Sequence, residues 1–208
     1  MPDHYYTAQP QSEHKPVSFD YEYRGQVLHF TTDSGVFSRT EIDRGTEVLL
    51  KALPQNLCGN VLDMGCGYGA IGVAIAKLWH ECRVTMADIN QRACELAREN
   101  AAKNSVHAHV LESDGYARVM DRRFDFILQN PPIRAGKAVI YQMFADAAVC
   151  LAMGGSLWLV IRKQQGAPSA ISYLQTLFES VQTVEKKSGY WVLRCENPLE
   201  QSNERSEA

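Results

Sequence analysis

The residues of this chain with the clearest chemical potential are Asn130, Pro131 and Pro132, which follow the largely apolar run 124–129. The run predicts a buried strand, and the two prolines predict a stiff turn at its end, because proline fixes φ and lacks a backbone N–H donor. The turn therefore offers mainly acceptors, namely the Asn130 side-chain oxygen and nearby carbonyls. Such acceptors suit a planar amino group, which presents two donors in one plane. We predict catalytic roles for Asn130, Pro131 and Pro132, with Asn130 also close to the cofactor.

A second feature is a glycine turn in segment 61–70, which follows a short apolar strand. Glycine lets the backbone turn sharply and lets a ligand approach without interference from a Cβ atom. The spacing Gly65-x-Gly67-x-x-Ala70 also fits the dinucleotide fingerprint, although a glycine turn after a strand can serve packing alone. The predicted cofactor-binding residues of this turn are Gly65, Cys66, Gly67 and Gly69.

Three aspartates stand at the ends of three successive predicted strands: Asp63, Asp88 and Asp114. Any one of them could be an ordinary helix N-cap. Three aspartates in order, beside Asn130, instead indicate one ligand with three polar parts. Asp63 would bind an ammonium group, Asp88 with its neighbour Ile89 would bind a ribose, and Asp114 would bind an adenine amino group. A carboxylate at position 63 would oppose the pyrophosphate of NAD. The pattern therefore predicts S-adenosylmethionine as the cofactor.

The elements that must position these residues alternate along the chain. Five strands, separated by helices in most of the intervals between them, predict βαβ units and a parallel sheet. A closing hairpin adds an antiparallel strand, so the predicted fold is α/β and Rossmann-like. The predicted strands are 60–64, 83–87, 108–112, 125–129 and 156–162, the helices are 42–53, 70–79, 91–104, 138–153 and 167–178, and the hairpins are 20–31 and 181–195.

Composition indicates one soluble domain, since the 208 residues are 45% apolar and 22% charged. No apolar run approaches the roughly 20 residues of a membrane span, and the N-terminus has no signal-peptide pattern. We expect a cytoplasmic protein with reduced cysteines and no metal site. We further expect a flexible arm at 1–17, the catalytic domain with its N-terminal hairpin at 18–196, and a disordered acidic tail at 197–208.

Charge is unevenly distributed along the chain, whose formal net charge is −3. Residues 121–194 carry nine basic and five acidic side chains, and this segment contains Asn130. The excess is either a chance fluctuation of a solvated surface or a basic rim around the substrate site. The second interpretation makes RNA a candidate partner.

Together these residues resemble the class I S-adenosylmethionine-dependent methyltransferases over residues 18–196. Within that class, segments 31–38 and 130–137 look like the methyltransferase small domain family, which includes guanine-N2 methyltransferases of small-subunit ribosomal RNA. The resemblance implies a seven-stranded sheet, mostly parallel, with an antiparallel last strand and helices on both faces. It also implies that Phe37 and Ser38 lie over the cofactor, although the same loop could be a tight surface turn.

One departure from the wider class concerns the residue after the two prolines. Adenine-N6 and glutamine-N5 enzymes usually have an aromatic residue there, whereas this chain has Ile133. That difference favours guanine N2, and it leaves the residue that stacks on the base open among Phe37, Tyr141 and Trp191. Arg134 and Lys137 follow the turn and could contact RNA phosphates or simply be solvated.

The sequence thus predicts an N-methyltransferase that acts on an exocyclic amino group, with guanine N2 of ribosomal RNA as the favoured acceptor and RNA or a ribosomal subunit as partner. The alternatives are an acceptor on a protein glutamine, an adenine or a small molecule. An NAD-dependent oxidoreductase and a non-catalytic RNA-binding module are the remaining rivals.

Overall fold

The computed structural model describes residues 12–38 and 40–200. The strands are β1 Val17–Tyr23, β2 Gln26–Thr32, β3 Gly59–Met64, β4 Cys82–Asp88, β5 His109–Glu112, β6 Phe124–Gln129, β7 Leu151–Arg162, β8 Phe178–Lys187 and β9 Tyr190–Pro198. The α-helices are α1 Arg44–Ala52, α2 Ala70–Leu78, α3 Gln91–Lys103, α4 Lys137–Cys150 and α5 Ala167–Leu174. Short 3-10 helices, Ile133–Ala135 and Lys163–Gln165, follow β6 and β7.

Seven strands form one sheet in the order β5-β4-β3-β6-β7-β9-β8, and β1 pairs with β2 in a separate antiparallel hairpin. Strands β3 to β7 pair in parallel, whereas β9 is antiparallel to both of its neighbours, β7 and β8. The predicted fold is therefore confirmed. Because the strand order reverses between β3 and β6, their carboxyl ends flank a crevice of the kind in which α/β proteins bind ligands.

Alternate residues of the sheet face two apolar layers. Val61, Val84 and Leu128 join a cluster with α1, α2, α3 and the β1–β2 hairpin. Leu62 and Ile127, their neighbours along the strands, join a second cluster with α4 and α5. Strands buried on both faces in this way have continuous apolar runs, such as the run 124–129 from which β6 was predicted.

The observed ends of several elements differ from the predicted ones. Strand β7 begins at Leu151, whereas the helix was predicted to continue to residue 153. Gly154 and Gly155 therefore lie within the irregular start of β7 rather than after a helix, and a Cβ at Gly155 would meet the Phe124 carbonyl oxygen at 2.8 Å. Helix α5 is likewise shorter than predicted, because the buried Phe178 begins β8.

The ends of the domain also lie slightly outside the expected bounds of 18–196. Strand β1 begins at Val17, and β9 continues to Pro198, which pairs with Phe178 of β8. Leu199 adds a backbone hydrogen bond to the Leu177 carbonyl. The parts of the expected arm and tail at 1–11 and 201–208 lie outside the described residues.

Two buried asparagines, Asn100 of α3 and its C-cap Asn104, attach the β1–β2 hairpin to the domain. Asn100 accepts from the Thr31 N–H at 2.8 Å and donates to the carbonyls of Thr31 and Tyr68, each at 2.8 Å. Asn104 makes an equivalent pair with His29, at 2.9 and 2.7 Å. The two amides thus continue the hydrogen bonding of the edge strand β2, as a neighbouring strand would.

We expect Asn100→Ala to destabilise the fold by about 2–4 kcal/mol, because the substitution removes three hydrogen bonds and leaves buried backbone groups without partners. Urea unfolding followed by circular dichroism measures this change. The control is Arg98→Ala on an exposed position of the same helix, for which we expect a change within about 0.5 kcal/mol. Equal effects of the two substitutions would contradict the attachment assigned to Asn100.

Candidate active site

A cavity of about 720 Å³ opens at the carboxyl ends of β3, β4 and β6. This volume lies within the range of small-molecule sites. The walls come from the glycine turn after β3, the loop 33–38, and the first residues of α1 and α4. The structure brings together here most of the predicted site residues: Phe37, Ser38, Gly65, Cys66, Gly67, Asp88, Ile89, Asp114, Asn130 and Pro132.

Six predicted residues do not line this cavity: Asp63, Gly69, Pro131, Ile133, Arg134 and Lys137. Gly69 is the N-cap of α2, and its φ of 90° and its close approach to Met86 and Ala97 explain why glycine is needed there. Pro131 is buried, and Ile133 packs against the apolar cluster under α4 and α5. Arg134 and Lys137 are exposed, and the Lys137 ammonium lies 5.0 Å from the Tyr141 ring centroid.

The glycine turn is held against β4 by its own backbone. The N–H groups of Gly65 and Cys66 both donate to the Ala87 carbonyl, at 2.8 and 3.0 Å. Gly65 and Gly67 have φ values of 72° and 55°, which side chains with a Cβ rarely adopt. Burial raises the pKa of the Cys66 thiol well above its ordinary value, so Cys66 is a neutral, apolar part of the wall.

Asp88 has the geometry expected of a ribose-binding carboxylate. One oxygen accepts from the Gly67 N–H at 2.8 Å and the other from the Asn90 N–H at 2.9 Å. Burial raises the pKa of Asp88, while these backbone bonds oppose the rise. The two backbone bonds fix Asp88 in place. Because each carboxylate oxygen can accept a further hydrogen bond, Asp88 is still able to bind two hydroxyl groups.

Asp63 differs from the prediction that it contacts the ammonium group of the cofactor. It is 1% exposed and lies behind the turn, where its Oδ2 accepts from the Gly72 N–H in the first turn of α2 at 2.8 Å. Its Oδ1 is buried and has no hydrogen-bond partner among the described residues. The expectation for Asp63 is therefore corrected: it accepts from a backbone N–H in the first turn of α2, although Gly69 and not Asp63 is the N-cap of that helix. Burial raises the pKa of Asp63 to about 7, and the charge of Asp88 adds to the rise that the bond from Gly72 opposes.

This raised pKa predicts a pH-dependent stability that Asp63→Asn should remove. The pKa of an Asp in an unfolded chain is about 3.9, whereas the pKa of Asp63 in the folded protein is about 7. Between these values the folded state keeps a proton that the unfolded state has lost, so the free energy of unfolding falls as pH rises from about 4 to about 7 and is level above that. Urea unfolding at about pH 4.5 and about pH 8 measures the effect. A stability difference between the two proteins that is the same at both pH values would contradict this account.

The loop 33–38 is anchored to the start of α3. Asn90 donates to the Gly35 carbonyl at 2.9 Å, and Arg92 donates to the Ser34 carbonyl at 2.6 Å. This anchoring holds Phe37 and Ser38 at the cavity wall, with 39% of Phe37 exposed. The loop is therefore part of the pocket rather than a remote surface turn.

Of the three aromatic residues considered for stacking on a base, only Phe37 lines the cavity. Tyr141 is stacked on Tyr173 with ring centroids 4.0 Å apart. Trp191 packs against the cluster under α4 and α5, and its ring centroid lies 4.3 Å from the Lys186 ammonium. Phe37 is thus the remaining candidate.

Asn130 is held by two residues that the sequence did not reveal, Asp43 and Thr46. Its Nδ2 donates to Asp43 Oδ2 and to Thr46 Oγ1, each at 3.0 Å. These bonds use both N–H donors of the amide and fix which way it faces. Its Oδ1 accepts no hydrogen bond from the described residues and is available to a ligand in the cavity. The sequence around Asp43 could have indicated only a helix N-cap, because Asp43 Oδ2 also accepts from the N–H groups of Gly45 and Thr46 at the start of α1.

The charge of the cavity favours a cationic ligand. Asp43, Asp88, Asp114 and Asp146 line the cavity, and among the described residues no Lys, Arg or His does. Such a wall suits the sulfonium and ammonium groups of S-adenosylmethionine and would oppose the pyrophosphate of NAD. The residues present therefore fit the predicted cofactor.

Comparison with known proteins agrees with this fit. A sequence model of the methyltransferase small domain matches residues 27–194. The chain belongs to the methyltransferase small domain family. Expectations of an S-adenosylmethionine-dependent methyltransferase are thereby confirmed at the level of the family.

Two relatives illustrate the range of the family. The uncharacterised Bacillus subtilis protein YbxB is 40% identical over 198 residues, which are 94% of this chain and 98% of YbxB. Ribosomal RNA small subunit methyltransferase C of Vibrio cholerae is 34% identical over 160 residues, which are 71% of this chain and 46% of that enzyme. The chain thus spans about half the length of the ribosomal RNA methyltransferases that it matches.

A similar solved structure is the T. thermophilus 16S rRNA N2 G1207 methyltransferase (RsmC) in complex with AdoMet and guanosine. The TM-score is 0.80 at 28% identity, over 90% of this chain and 52% of that one. In the part of the chain that the structure describes, no helix is long and apolar enough to cross a membrane, and no cluster of His, Cys, Asp and Glu is placed to bind a metal.

Proposed function

We propose that this protein methylates the exocyclic N2 amino group of a guanine in small-subunit ribosomal RNA. The observation that carries the proposal is the orientation of Asn130, whose N–H donors are used within the protein and whose Oδ1 can accept from a ligand in the cavity. The choice of guanine is supported by the T. thermophilus enzyme, whose complex contains guanosine. This substrate would place the protein in the cytoplasm, where ribosomes assemble.

The proposed roles of the residues follow from the weakness of the acceptor nitrogen. Its lone pair is delocalised into the base, so it is a poor nucleophile. Asn130 Oδ1 would accept one of its two hydrogens, and the Pro131 carbonyl would accept the other: Pro131 itself is buried, but it stands between Asn130 and Pro132, which both line the cavity. Holding both hydrogens directs the lone pair toward the methyl group.

S-adenosylmethionine supplies an electrophilic methyl group on a sulfonium sulfur. The nitrogen lone pair forms the new N–CH3 bond as the bond from carbon to sulfur breaks, and its electrons remain on sulfur. The methylated nitrogen then loses one hydrogen as a proton to solvent. Asn130 needs only to orient the acceptor and stabilise its developing positive charge, so the proposal requires no strong base.

The rival functions differ in what they leave unexplained. An NAD-dependent oxidoreductase conflicts with the acidic cavity wall, and a non-catalytic module gives the fixed amide of Asn130 no role. A protein glutamine, an adenine or a small molecule would use the same cofactor site and remains the second candidate. The amino group of such a substrate could bind the same two acceptors, Asn130 Oδ1 and the Pro131 carbonyl.

Transfer of tritium from labelled S-adenosylmethionine tests the proposal. The purified protein is incubated with small-subunit ribosomal RNA, assembled subunits, total protein and metabolites, and the labelled RNA is digested to nucleosides. We expect the label in N2-methylguanosine. Label confined to protein or small molecules would overturn the choice of RNA, and label in N6-methyladenosine would overturn the choice of guanine.

A further inference from the structure

A basic surface lies beside the active site, at the start of α1 and the turn between β8 and β9. We call it the hairpin surface and define it by Arg44, Arg162, Lys163, Lys187 and Tyr190. In the register of the sheet, Tyr190 of β9 pairs with Arg162 of β7 and with Lys187 of β8. Residues paired across neighbouring strands point to the same face, so these three side chains form a row.

Contacts within the hairpin surface hold its members together. The Arg162 guanidinium lies 4.9 Å from the Tyr190 ring centroid. The Arg44 Nη2 donates to Ser188 Oγ in the turn at 3.3 Å, and the Lys163 N–H donates to the Gly189 carbonyl at 2.9 Å. The end of β7, the β8–β9 turn and the start of α1 therefore form one continuous surface.

The hairpin surface is connected to Asn130 through the start of α1. Gly45 is packed so closely that an added Cβ would lie 2.9 Å both from Tyr190 Cε1 and from Asp43 Oδ2. That same Asp43 oxygen accepts from Asn130. Arg44 of the hairpin surface thus lies within one helical turn of Asp43 and Thr46, the residues that hold Asn130.

The charge of the hairpin surface opposes that of the protein as a whole, whose formal net charge is −3. Arg162, Lys163 and Lys187 are exposed. The neighbouring acidic residues are Asp43, Glu47 and Glu185, of which Asp43 is bonded to Asn130 and Glu47 already bridges Arg44 and Lys51. The four basic side chains outnumber these acids, and all four are exposed.

We propose that the hairpin surface binds the phosphate backbone of RNA next to the target nucleotide. The inference rests on the proposed function, because a base inside the cavity requires its neighbouring phosphates to lie outside at the same edge of the sheet. Arg162 and Lys187 would bind phosphates, and the partly buried Tyr190 would orient Arg162. A small-molecule acceptor would have no use for such an extended row of charges.

The test compares two charge reversals that change the net charge equally. One protein carries Arg162→Glu and Lys187→Glu on the hairpin surface. The control carries Arg83→Glu and Arg122→Glu, which lie near the amino ends of β4 and β6 at the opposite edge of the sheet. For each protein we would measure kcat and KM for ribosomal RNA over a range of salt concentrations, and the affinity for S-adenosylmethionine by calorimetry.

For the hairpin-surface variant we expect KM for RNA to rise about tenfold or more and its dependence on salt to weaken. The value of kcat and the affinity for S-adenosylmethionine should stay unchanged, and the control should resemble the wild type. Equal KM values in all three proteins, or equal increases in both variants, would overturn the inference while leaving the proposed function intact. Failure of the wild type to label any RNA would instead overturn the proposed function, and this inference with it.

Discussion

Replacing Asn130 with alanine is expected to lower kcat by about a hundredfold or more, with S-adenosylmethionine still bound. The substitution removes the acceptor that would hold one hydrogen of the amino group and stabilise its developing positive charge. Methyl transfer in single-turnover experiments measures the chemical step, and calorimetry measures cofactor affinity. The loss should appear in the rate of transfer because the acidic wall and Asp88 remain in place.

A matched control for Asn130→Ala is Gln142→Ala. Gln142 is also an amide that lines the cavity, but it lies on α4 and donates to Asp146. We expect this control to retain kcat within about threefold, as is usual for an exposed side chain outside the chemistry. Normal turnover in Asn130→Ala would exclude the role given to Asn130, and equal losses in both variants would indicate a general effect of cavity shape.

The fold could be predicted from sequence because its signals are local. Apolar runs, helix lengths and glycine turns lie within ten or fifteen residues of one another, and the rules of parallel sheets then determine the arrangement. The carboxyl ends of β3, β4 and β6 therefore came together as expected, with Asp88 and Asn130 at the same edge. The start of β7 was missed because Gly154 and Gly155 resemble the end of a helix, whereas they serve an irregular strand pairing.

The residues of the site could be predicted only where they lie at the carboxyl end of a strand and face the cavity directly. Asp63 and Asp88 both lie near the end of a strand, but Asp63 pairs with Met86 and so stands two residues short of Asp88 in the register. At that depth α2 covers Asp63, whereas Asp88 reaches the cavity wall. Asp43 and Asn130 are 87 residues apart, and no local pattern links them. The contact depends on how α1 packs against the end of the sheet, which a single sequence does not contain.

The dependence of Asn130 on Asp43 leads to the second large effect, in the variant Asp43→Ala. One oxygen of Asp43 accepts from Gly45, Thr46 and Asn130, so the substitution frees the Asn130 amide to rotate. We expect kcat to fall about tenfold to a hundredfold, together with a loss of about 1 kcal/mol of stability from the missing helix cap. Asp43→Asn is the conservative control, because its amide oxygen can accept from the same three donors and should restore most of the activity.

A double-mutant cycle decides whether Asp43 acts through Asn130. If it does, Asp43→Ala should cost almost nothing further in kcat when Asn130 is already alanine, since the group that it orients is absent. Thr46→Val should show the same dependence with a smaller effect, because the Thr46 hydroxyl is uncharged and the charged Asp43 acceptor of Asn130 remains in place. Additive losses in kcat, or a weaker affinity for S-adenosylmethionine in Asp43→Ala, would instead mean that the carboxylate of Asp43 acts on the cofactor directly. The geometry favours the first result, because both N–H donors of Asn130 are bound within the protein and its oxygen is therefore the atom presented to the acceptor.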